Sequence, residues 1–259
     1  MDRWDDDNAY DAFMGRWSLP AARAFISWLD PPQQARWLDV GCGSGAVLAA
    51  IAGAAAPAGL SGVDPSPGFV EAARRRLGED PDLRLGSAGN LPFEADSFDV
   101  VVSGLVLNFV PDPAAALTEM RRVAAPLGTV SAFVWDYADG MEYLRTFWDA
   151  AAAVDPEAAS LDEATRFPLC RPGALGALFE AGGLNEVATS AVRVPTVFAD
   201  FADYWNPLLS GQGPAPGYVA SLDEATRHHL RQRLDTTLPR SPDGTIHLSA
   251  RAWCATGTT

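Results

Sequence analysis

Short apolar runs alternate with longer amphipathic segments through the first half of the chain. The apolar runs predict β-strands at residues 37–40, 60–63, 83–85, 98–103 and 129–135. The segments between them predict helices at residues 46–55, 67–77 and 114–123, of which the second begins at a proline and is followed by a glycine. Alternating strands and helices predict an α/β fold with a doubly wound, mostly parallel sheet and right-handed crossovers.

Several stretches do not belong to this alternation. Residues 10–30 predict an N-terminal helical cap, because aromatic residues recur there at helical intervals, and residues 138–170 predict an insertion with an aromatic helix at 141–154. Later elements are helices at 171–181, 199–209 and 221–234, strands at 186–194 and 244–254, and a loop at 211–217. We expect a single domain over residues 1–259, with a cofactor-binding core at 36–137 and substrate-cap elements at 138–170 and 199–238.

The sequence Ser-Leu-Asp-Glu-Ala-Thr-Arg occurs twice, at residues 160–166 and 221–227. The flanking residues differ completely, so we interpret the repeat as two helix starts and not as a duplicated domain. In each copy a serine precedes a glutamate by three positions, which is the capping-box pattern. The pattern therefore predicts Ser160 and Ser221 as helix caps.

The segment Trp37-Leu38-Asp39-Val40-Gly41-Cys42-Gly43-Ser44-Gly45 joins the first predicted strand to a helix. Its glycines permit positive φ angles and close approach of a ligand, and the helix directs unpaired N–H groups to the same place. Asp64 ends the second strand, where an acid suits a ribose diol. The spacing also fits a dinucleotide site, so NAD(P) is an alternative. Asp39 favours S-adenosylmethionine, because its carboxylate would repel a pyrophosphate and attract an ammonium and a sulfonium.

The same nine residues resemble motif I of the class I S-adenosylmethionine-dependent methyltransferases, and in particular the ubiquinone/menaquinone-type small-molecule methyltransferases of bacteria. The segments at residues 86–93 and 96–99 extend the resemblance. It implies a seven-stranded, Rossmann-like sheet with strand 7 antiparallel. It also implies S-adenosylmethionine as the cofactor and S-adenosylhomocysteine as the product.

The resemblance further implies a set of cofactor contacts. Arg16 is a candidate partner for the cofactor carboxylate, with a surface arginine as the equal alternative. Ser87 stands where the family usually has an aspartate that accepts from the adenine amino group, and its hydroxyl can accept without charge. The full cofactor set is Arg16, Asp39, Gly41, Cys42, Gly43, Asp64, Pro65, Ser66, Ser87, Ala88, Gly89, Ser103 and Leu105.

The expected reaction is an in-line displacement on the sulfonium methyl group by a small, largely apolar acceptor. Asn108 stands where the family often has a histidine, and an amide cannot act as a base near neutral pH. Asp136 or Tyr137 could be a base if the acceptor is protonated, but the sequence does not identify the catalytic residues. The substrate set is Tyr10, Trp17, Asn108, Trp135, Tyr137, Phe147 and Trp205.

Composition limits the partners of the chain. A net charge of −14 disfavours nucleic acid and anionic membranes, and no apolar run is long enough to cross a bilayer. The acidic N-terminus lacks a signal peptide pattern, and the scattered cysteines and histidines do not form a metal motif. We expect a cytoplasmic monomer or homodimer that modifies a small molecule, for example in secondary metabolism. The alternative is an S-adenosylmethionine-binding protein of the same fold that catalyses another reaction.

Overall fold

The computed structural model describes residues 11–211 and 213–259, and seven strands in this part of the chain form one sheet. They are β1 (Arg36–Val40), β2 (Gly59–Asp64), β3 (Asp82–Leu85), β4 (Phe98–Gly104), β5 (Ala124–Trp135), β6 (Asn185–Phe198) and β7 (Ile246–Thr258). Their order is β3-β2-β1-β4-β5-β7-β6. The pairs among β1 to β5 are parallel, whereas β7 is antiparallel to both β5 and β6. The predicted fold class, including the antiparallel last strand, is confirmed.

Helices cover the sheet in two layers. They are α1 (Arg16–Leu29), α2 (Ala46–Ala54), α3 (Pro67–Leu77), α4 (Pro113–Val123), α5 (Glu142–Val154), α6 (Glu163–Arg166), α7 (Ala174–Ala181), α8 (Phe201–Trp205), α9 (Pro214–Ser221) and α10 (Glu224–Thr237). One layer contains α1, α2 and α3, which contact one another in sequence, and the other contains α4 packed against α7. The chain first adds β2 and β3 on one side of β1 and then adds β4 and β5 on the other side. With right-handed crossovers, this order places the connecting helices on opposite faces of the sheet.

The later elements differ most from the predicted boundaries. The predicted loop at 211–217 is partly helical, because α9 begins with Pro214 and Pro216 in its first turn, where a missing N–H costs nothing. The predicted helix at 199–209 is divided into α8 and the 3-10 turn Asn206–Leu209. The predictions for Ser160 and Ser221 are wrong, because Asp162 and Asp223 cap the two helices.

Three of the additional segments meet in an aromatic cluster, formed by Phe13, Trp17, Tyr143, Phe198 and Tyr204, all buried. Phe13 and Phe198 both contact the ring of Tyr143, at centroid distances of 5.7 and 5.1 Å. The hydroxyls of Tyr143 and Tyr204 donate to each other's backbone carbonyls, at 3.1 and 3.0 Å. The N-terminal helix, the insertion and the segment around α8 are therefore joined at one point.

Packing, and not cross-linking, holds this fold together. Cys42, Cys170 and Cys254 are all free and buried. Within residues 11–211 and 213–259, no group of three or more histidine, cysteine or acidic residues is arranged to hold a metal ion. No helix in these ranges combines the length and the apolar character needed to cross a bilayer.

Candidate active site

A cavity of 590 Å³ lies at the carboxyl ends of the parallel strands. The loops after β1, β2, β3 and β4 supply most of its wall, as expected where parallel strands end at one edge of a sheet. Its volume is typical of small-molecule sites, which occupy about 300–1,000 Å³. The lining residues are Ser18, Gly41, Cys42, Gly43, Ser44, Ala46, Val47, Asp64, Pro65, Ser66, Phe69, Gly86, Ser87, Ala88, Gly89, Gly104, Leu105, Val106, Phe109, Val110, Pro111, Asp112, Ala115 and Phe133.

The loop after β1 makes one wall of the cavity from backbone. Gly41 and Gly43 have φ angles of 77° and 50°, in the left-handed region that other residues avoid. The N–H groups of Gly41 and Cys42 both donate to the carbonyl of Val63, at 2.8 and 3.0 Å, which fixes the loop to the end of β2. A Cβ at Gly41 would lie 2.5 Å from the side chain of Val106. Glycine is therefore required there for two reasons, its conformation and the close approach of the segment after β4.

Asp64, the last residue of β2, presents a fixed carboxylate to the cavity. One oxygen accepts from the N–H of Gly43 at 3.0 Å, and the other accepts from the N–H of Ser66 at 2.9 Å. Burial raises the pKa of Asp64, and these two hydrogen bonds oppose the rise. Each oxygen can accept a second hydrogen bond. Asp64 is thus preorganised to receive two hydroxyl groups, as a ribose would offer.

Asp39 is fully buried in β1, two residues before Gly41, and it is not among the residues that line the cavity. Neither carboxyl oxygen has a hydrogen-bond partner among the residues that the structure describes. Burial, and secondly the nearby charge of Asp64, raise the pKa of Asp39 well above its usual range. A buried carboxylate in this state is costly unless a positive group compensates it. S-adenosylmethionine brings two positive charges and a pyrophosphate brings more negative charge, so the residues present fit S-adenosylmethionine.

The turn after β3 forms the far end of the cavity. Gly86, Ser87, Ala88 and Gly89 all line it. The N–H of Asn90 donates to the carbonyl of Ser87 at 3.1 Å, which closes the turn. The N–H of Gly86 donates to the carbonyl of Asp64 at 3.2 Å, which ties the turn to β2. The turn is therefore held at a fixed distance from the predicted ribose site.

The remaining cofactor candidates divide between the cavity wall and the core. Leu105 lines the cavity with a φ of 63°, and its N–H donates to the carbonyl of Phe133 at 2.8 Å. Ser66 caps α3, and Cys42 lines the wall, with burial raising the pKa of its thiol. Ser103 does not reach the cavity, because its hydroxyl donates to the carbonyl of Val40 at 2.8 Å inside the sheet. The prediction that Ser103 contacts the cofactor is therefore corrected.

The prediction that Arg16 binds the cofactor carboxylate is corrected as well. Its guanidinium donates to both carboxylate oxygens of Asp203, at 2.7 and 3.1 Å, and to the carbonyl of Val197. It also lies over the rings of Trp17 and Phe198, at 4.5 and 5.3 Å from their centroids. A bidentate carboxylate partner and two aromatic rings hold the side chain away from the cavity wall. Arg16 therefore joins α1 to the segment around α8.

The predicted substrate set is corrected in the same way. Tyr10 lies outside the described residues. Asn108 does not line the cavity, and its amide nitrogen is buried without a partner within the described part of the chain. The other members do not line it either, because core packing buries them: Trp17, Trp135, Tyr137, Phe147 and Trp205.

Asp136 and Tyr137, the suggested bases, are engaged elsewhere. Arg251 donates through Nε to the Asp136 carboxylate at 2.6 Å, and the N–H groups of Ala138 and Asp139 donate to its other oxygen. Tyr137 is 5% exposed and packs against Phe167 at a centroid distance of 5.9 Å. Neither residue lines the cavity in this structure.

Several residues of the cavity wall were not in the predicted sets. The residues missed there include Ser18, Phe109, Val110, Pro111, Asp112, Ala115 and Phe133. Five of them lie between residues 109 and 115, so extending the candidate set beyond Asn108 would have included them. Phe133 was not recognisable, because its place on the wall depends on the pairing of β5 with β4.

Proteins with sequences similar to this chain include methyltransferases. Residues 38–132 match the methyltransferase domain family. Nocamycin O-methyltransferase of Saccharothrix syringae is 33% identical over 196 residues, which are 69% of this chain and 69% of that protein. Demethylmenaquinone methyltransferase of Staphylococcus aureus is 41% identical over 96 residues, 36% of this chain and 40% of that protein. The chain belongs to the S-adenosylmethionine-dependent methyltransferases.

A solved structure gives the same architecture. Phosphoethanolamine N-methyltransferase 2 of Haemonchus contortus, in complex with S-adenosyl-L-methionine, has a TM-score of 0.58 with this chain. The likeness covers 97% of this chain and 57% of that one at 15% identity, so it concerns the fold alone. The curated relatives are matched over 27% to 69% of their own lengths.

Proposed function

We propose that the chain transfers the methyl group of S-adenosylmethionine to an O, N or C nucleophile of a small, largely apolar molecule. The observation that carries the proposal is the buried carboxylate of Asp39, which has no partner among the described residues and interacts with the charge of Asp64, a residue of the cavity wall. The name of the nocamycin relative supports an oxygen as the acceptor atom and supports a role in secondary metabolism. The net charge of −14 supports a small-molecule substrate over nucleic acid or an anionic membrane.

Each part of the wall has a task in holding the cofactor. Asp64 would accept from the ribose hydroxyls, and the backbone around Gly43 would face the methionine part. Ser87 and Ala88 would border the adenine. Asp39 would balance positive charge from behind the loop, which relieves the cost of its burial.

The chain's own contribution to catalysis is position and exclusion of water. Bound S-adenosylmethionine supplies an electrophilic methyl group. Val110, Pro111 and Phe133 give the rest of the wall an apolar surface that can exclude water and confine the acceptor. Confining two reactants in one cavity replaces a collision in solution by an oriented contact, which is a large source of rate enhancement.

Titration calorimetry with S-adenosylmethionine, S-adenosylhomocysteine and NAD⁺ tests the cofactor. We expect the first two to bind and NAD⁺ not to bind. Asp64→Ala should weaken S-adenosylmethionine binding by about 1.5–3 kcal/mol, the range for a hydrogen bond to a charged group. Asp99→Ala is the matched control, because Asp99 lies on β4 and pairs with Arg36 away from the cavity. Equal affinity in wild type and Asp64→Ala would contradict the assignment of Asp64.

Mass spectrometry tests the reaction. The protein is incubated with S-adenosylmethionine and a panel of phenols, carboxylic acids and amines. Release of S-adenosylhomocysteine together with a product heavier by one methyl group is expected. A cofactor-derived product of another kind would instead support the alternative of a non-methylating enzyme. A cytoplasmic location and a monomeric or homodimeric state stay predictions, the second testable by light scattering.

A further inference from the structure

An exposed aromatic side chain stands in the cavity wall beyond the cofactor loops. Phe109 ends the 3-10 turn Leu107–Phe109 that follows β4, and 39% of its surface is exposed. Leu107 in the same turn is fully buried, so the turn is anchored to the core. Small-molecule cavities are lined mainly by apolar and aromatic side chains, so an accessible phenylalanine in the cavity wall is a candidate for contact with a ligand.

The ring of Phe109 is supported from the insertion. Phe167 packs edge-to-face against it, with a centroid distance of 5.0 Å and an interplanar angle of 76°. Phe167 itself contacts the ring of Tyr137 at 5.9 Å and lies under the guanidinium of Arg166 at 5.5 Å. Phe167 thus connects the insertion to the cavity wall, although Phe167 does not itself line the cavity.

The backbone of Phe167 is held on both sides. Its N–H donates to the carbonyl of Glu163 at 2.9 Å, and its carbonyl accepts from the N–H of Cys170 at 3.0 Å. The 3-10 turn Pro168–Cys170 then packs against the turn that carries Phe109. Both turns are thus held in place, and the edge-to-face contact with Phe167 favours one orientation of the Phe109 ring.

We infer that Phe109 contacts the methyl acceptor and that Phe167 is its positioning residue, so that the pair selects a flat, conjugated acceptor over a saturated one of similar size. The inference rests on the proposed function, since it assumes that the acceptor occupies this part of the cavity. Two aromatic rings attract each other through their quadrupoles, and this attraction adds to the free energy from buried apolar area. A saturated ring buries comparable area without that gain.

The test compares two probes on the full chain saturated with S-adenosylhomocysteine. The probes are 2-naphthol and its saturated counterpart decahydro-2-naphthol, and the measured quantity is the ratio of their dissociation constants. Comparing this ratio between variants cancels the difference in hydrophobicity of the probes. Phe109→Leu should lower the preference for 2-naphthol about fivefold, within the range measured for aromatic pairs. Phe167→Leu should lower it at least about twofold, and Phe167→Tyr, which keeps the ring, should restore it.

Phe93→Leu is the matched control. Phe93 makes the same kind of edge-to-face contact with Phe98, at 5.0 Å and 85°, and does not line the cavity. Phe93→Leu should therefore leave the ratio of the two dissociation constants unchanged. If Phe167 has only a structural role, Phe167→Leu should also leave this ratio unchanged. Should Phe167→Leu fail to fold, the half-exposed Phe109 position decides alone.

The inference is overturned if Phe109→Leu keeps the wild-type ratio, if Phe167→Leu behaves like Phe93→Leu, or if neither probe binds the wild-type complex. Failure of the proposed function has a different signature. Absence of a methylated product counts against the proposed function. Because probe binding requires no methyl transfer, the ratio of dissociation constants still tests the inference about Phe109 and Phe167. S-adenosylhomocysteine affinity, measured in every variant, should stay at the wild-type value.

Discussion

Asp39 and Asp64 are neighbouring carboxylates with different surroundings. Asp64 accepts two backbone hydrogen bonds, whereas Asp39 has no partner among the described residues. The pKa of both is raised, for Asp39 chiefly by burial and then by the charge of Asp64. The ligand-free protein therefore stores an electrostatic cost at Asp39 that a cationic ligand relieves.

Asp39→Asn should move stability and affinity in opposite directions. A raised pKa means that the carboxyl stabilises the fold at low pH and loses this contribution as pH rises through the folded-state pKa. At pH 7.5 the variant should therefore have a higher Tm without ligand. Its affinity for S-adenosylmethionine should fall by about 1.5–3 kcal/mol, as for a lost charged contact. Calorimetry and thermal melts measure both quantities.

Asp99→Asn provides the comparison for Asp39→Asn, because Asp99 is half-exposed on β4. It removes a carboxylate charge from the neighbouring strand and should leave cofactor affinity unchanged. An Asp39→Asn variant that binds S-adenosylmethionine as tightly as wild type would show that the carboxylate charge does not serve the cofactor.

Ser87→Asp should be tolerated and should tighten cofactor binding. Ser87 lines the cavity in a turn whose closing hydrogen bond uses only backbone atoms. A carboxylate there can accept a charge-assisted hydrogen bond, which is stronger than one to a hydroxyl. Titration with S-adenosylhomocysteine measures the change. A folded variant that binds about tenfold more weakly would place the adenine elsewhere.

At the scale of elements, the repeated heptapeptide shows what local sequence determines. Both copies form a helix start, and in both the aspartate is the cap that accepts a backbone N–H. Their glutamates differ completely, since Glu163 is 2% exposed and Glu224 lies at the surface. The indole N–H of Trp148 donates to Glu163. Local sequence thus sets the helix start, and tertiary packing sets the environment of each side chain.

Glu163→Gln should change the pH dependence of stability. Burial raises the pKa of Glu163 from 4.5 to about 7, with Asp162, Arg145 and Cys170 nearby. The contribution of Glu163 to the free energy of unfolding is fully present below pH 4.5. It is lost as pH rises through 7, and the loss is about 3 kcal/mol. The glutamine variant should lack this loss. Urea unfolding at pH 5 and pH 8 measures the difference.

The second copy of the repeat supplies the control for this prediction. Glu224→Gln changes the same residue in the same seven-residue sequence, but at an exposed position. It should retain the wild-type difference in unfolding free energy between pH 5 and pH 8. If both variants retain it, the glutamate at 163 is not the group responsible.

The sequence predictions were accurate where local residues determine the structure, and they failed where the partners are distant in sequence. Strands β1 to β4 and the glycine loop were predictable, because apolar runs and turn residues are local signals. Asp64 was selected because it ends the second strand, and Ser87 was selected from the resemblance to the methyltransferases. Arg16 and Trp17 could not be placed, since their partners Asp203 and Phe198 are distant in sequence. Aromatic residues at helical intervals predicted α5, but not whether its aromatic residues would face the cavity or the core.

At the scale of the whole molecule, the aromatic cluster connects segments far apart in the chain. The described start of the chain belongs to the predicted N-terminal helical cap. Phe13, just before α1, and Trp17 in its first turn are buried against Tyr143 and Phe198, and Arg16 pairs with Asp203. Ser18 is the one residue of α1 on the cavity wall. The segment therefore borders the cavity as part of the packed core.

Tyr143→Phe should loosen three segments together. The change removes the hydroxyl that donates to the carbonyl of Tyr204 in a fully buried site, and an unpaired buried group costs about 1–3 kcal/mol. Hydrogen exchange should rise at residues 13–18 and 201–205 as well as near 143. Tyr218→Phe is the control, since the hydroxyl of Tyr218 donates to Asp155 outside the cluster. Increased exchange confined to residues near 143 would contradict a shared cluster.

The position of β7 has a consequence for how the chain acquires its structure during synthesis. β6 is made before β7, yet β7 lies between β5 and β6, and within the described residues β6 pairs with no other strand. Until β7 is available, β5 and β6 both present bare edges, and α1 lacks the completed surface on which it packs. Bare strand edges are the usual starting point of aggregation. We therefore expect the nascent chain to be most prone to aggregation in the interval between the synthesis of Phe198 and that of Thr258.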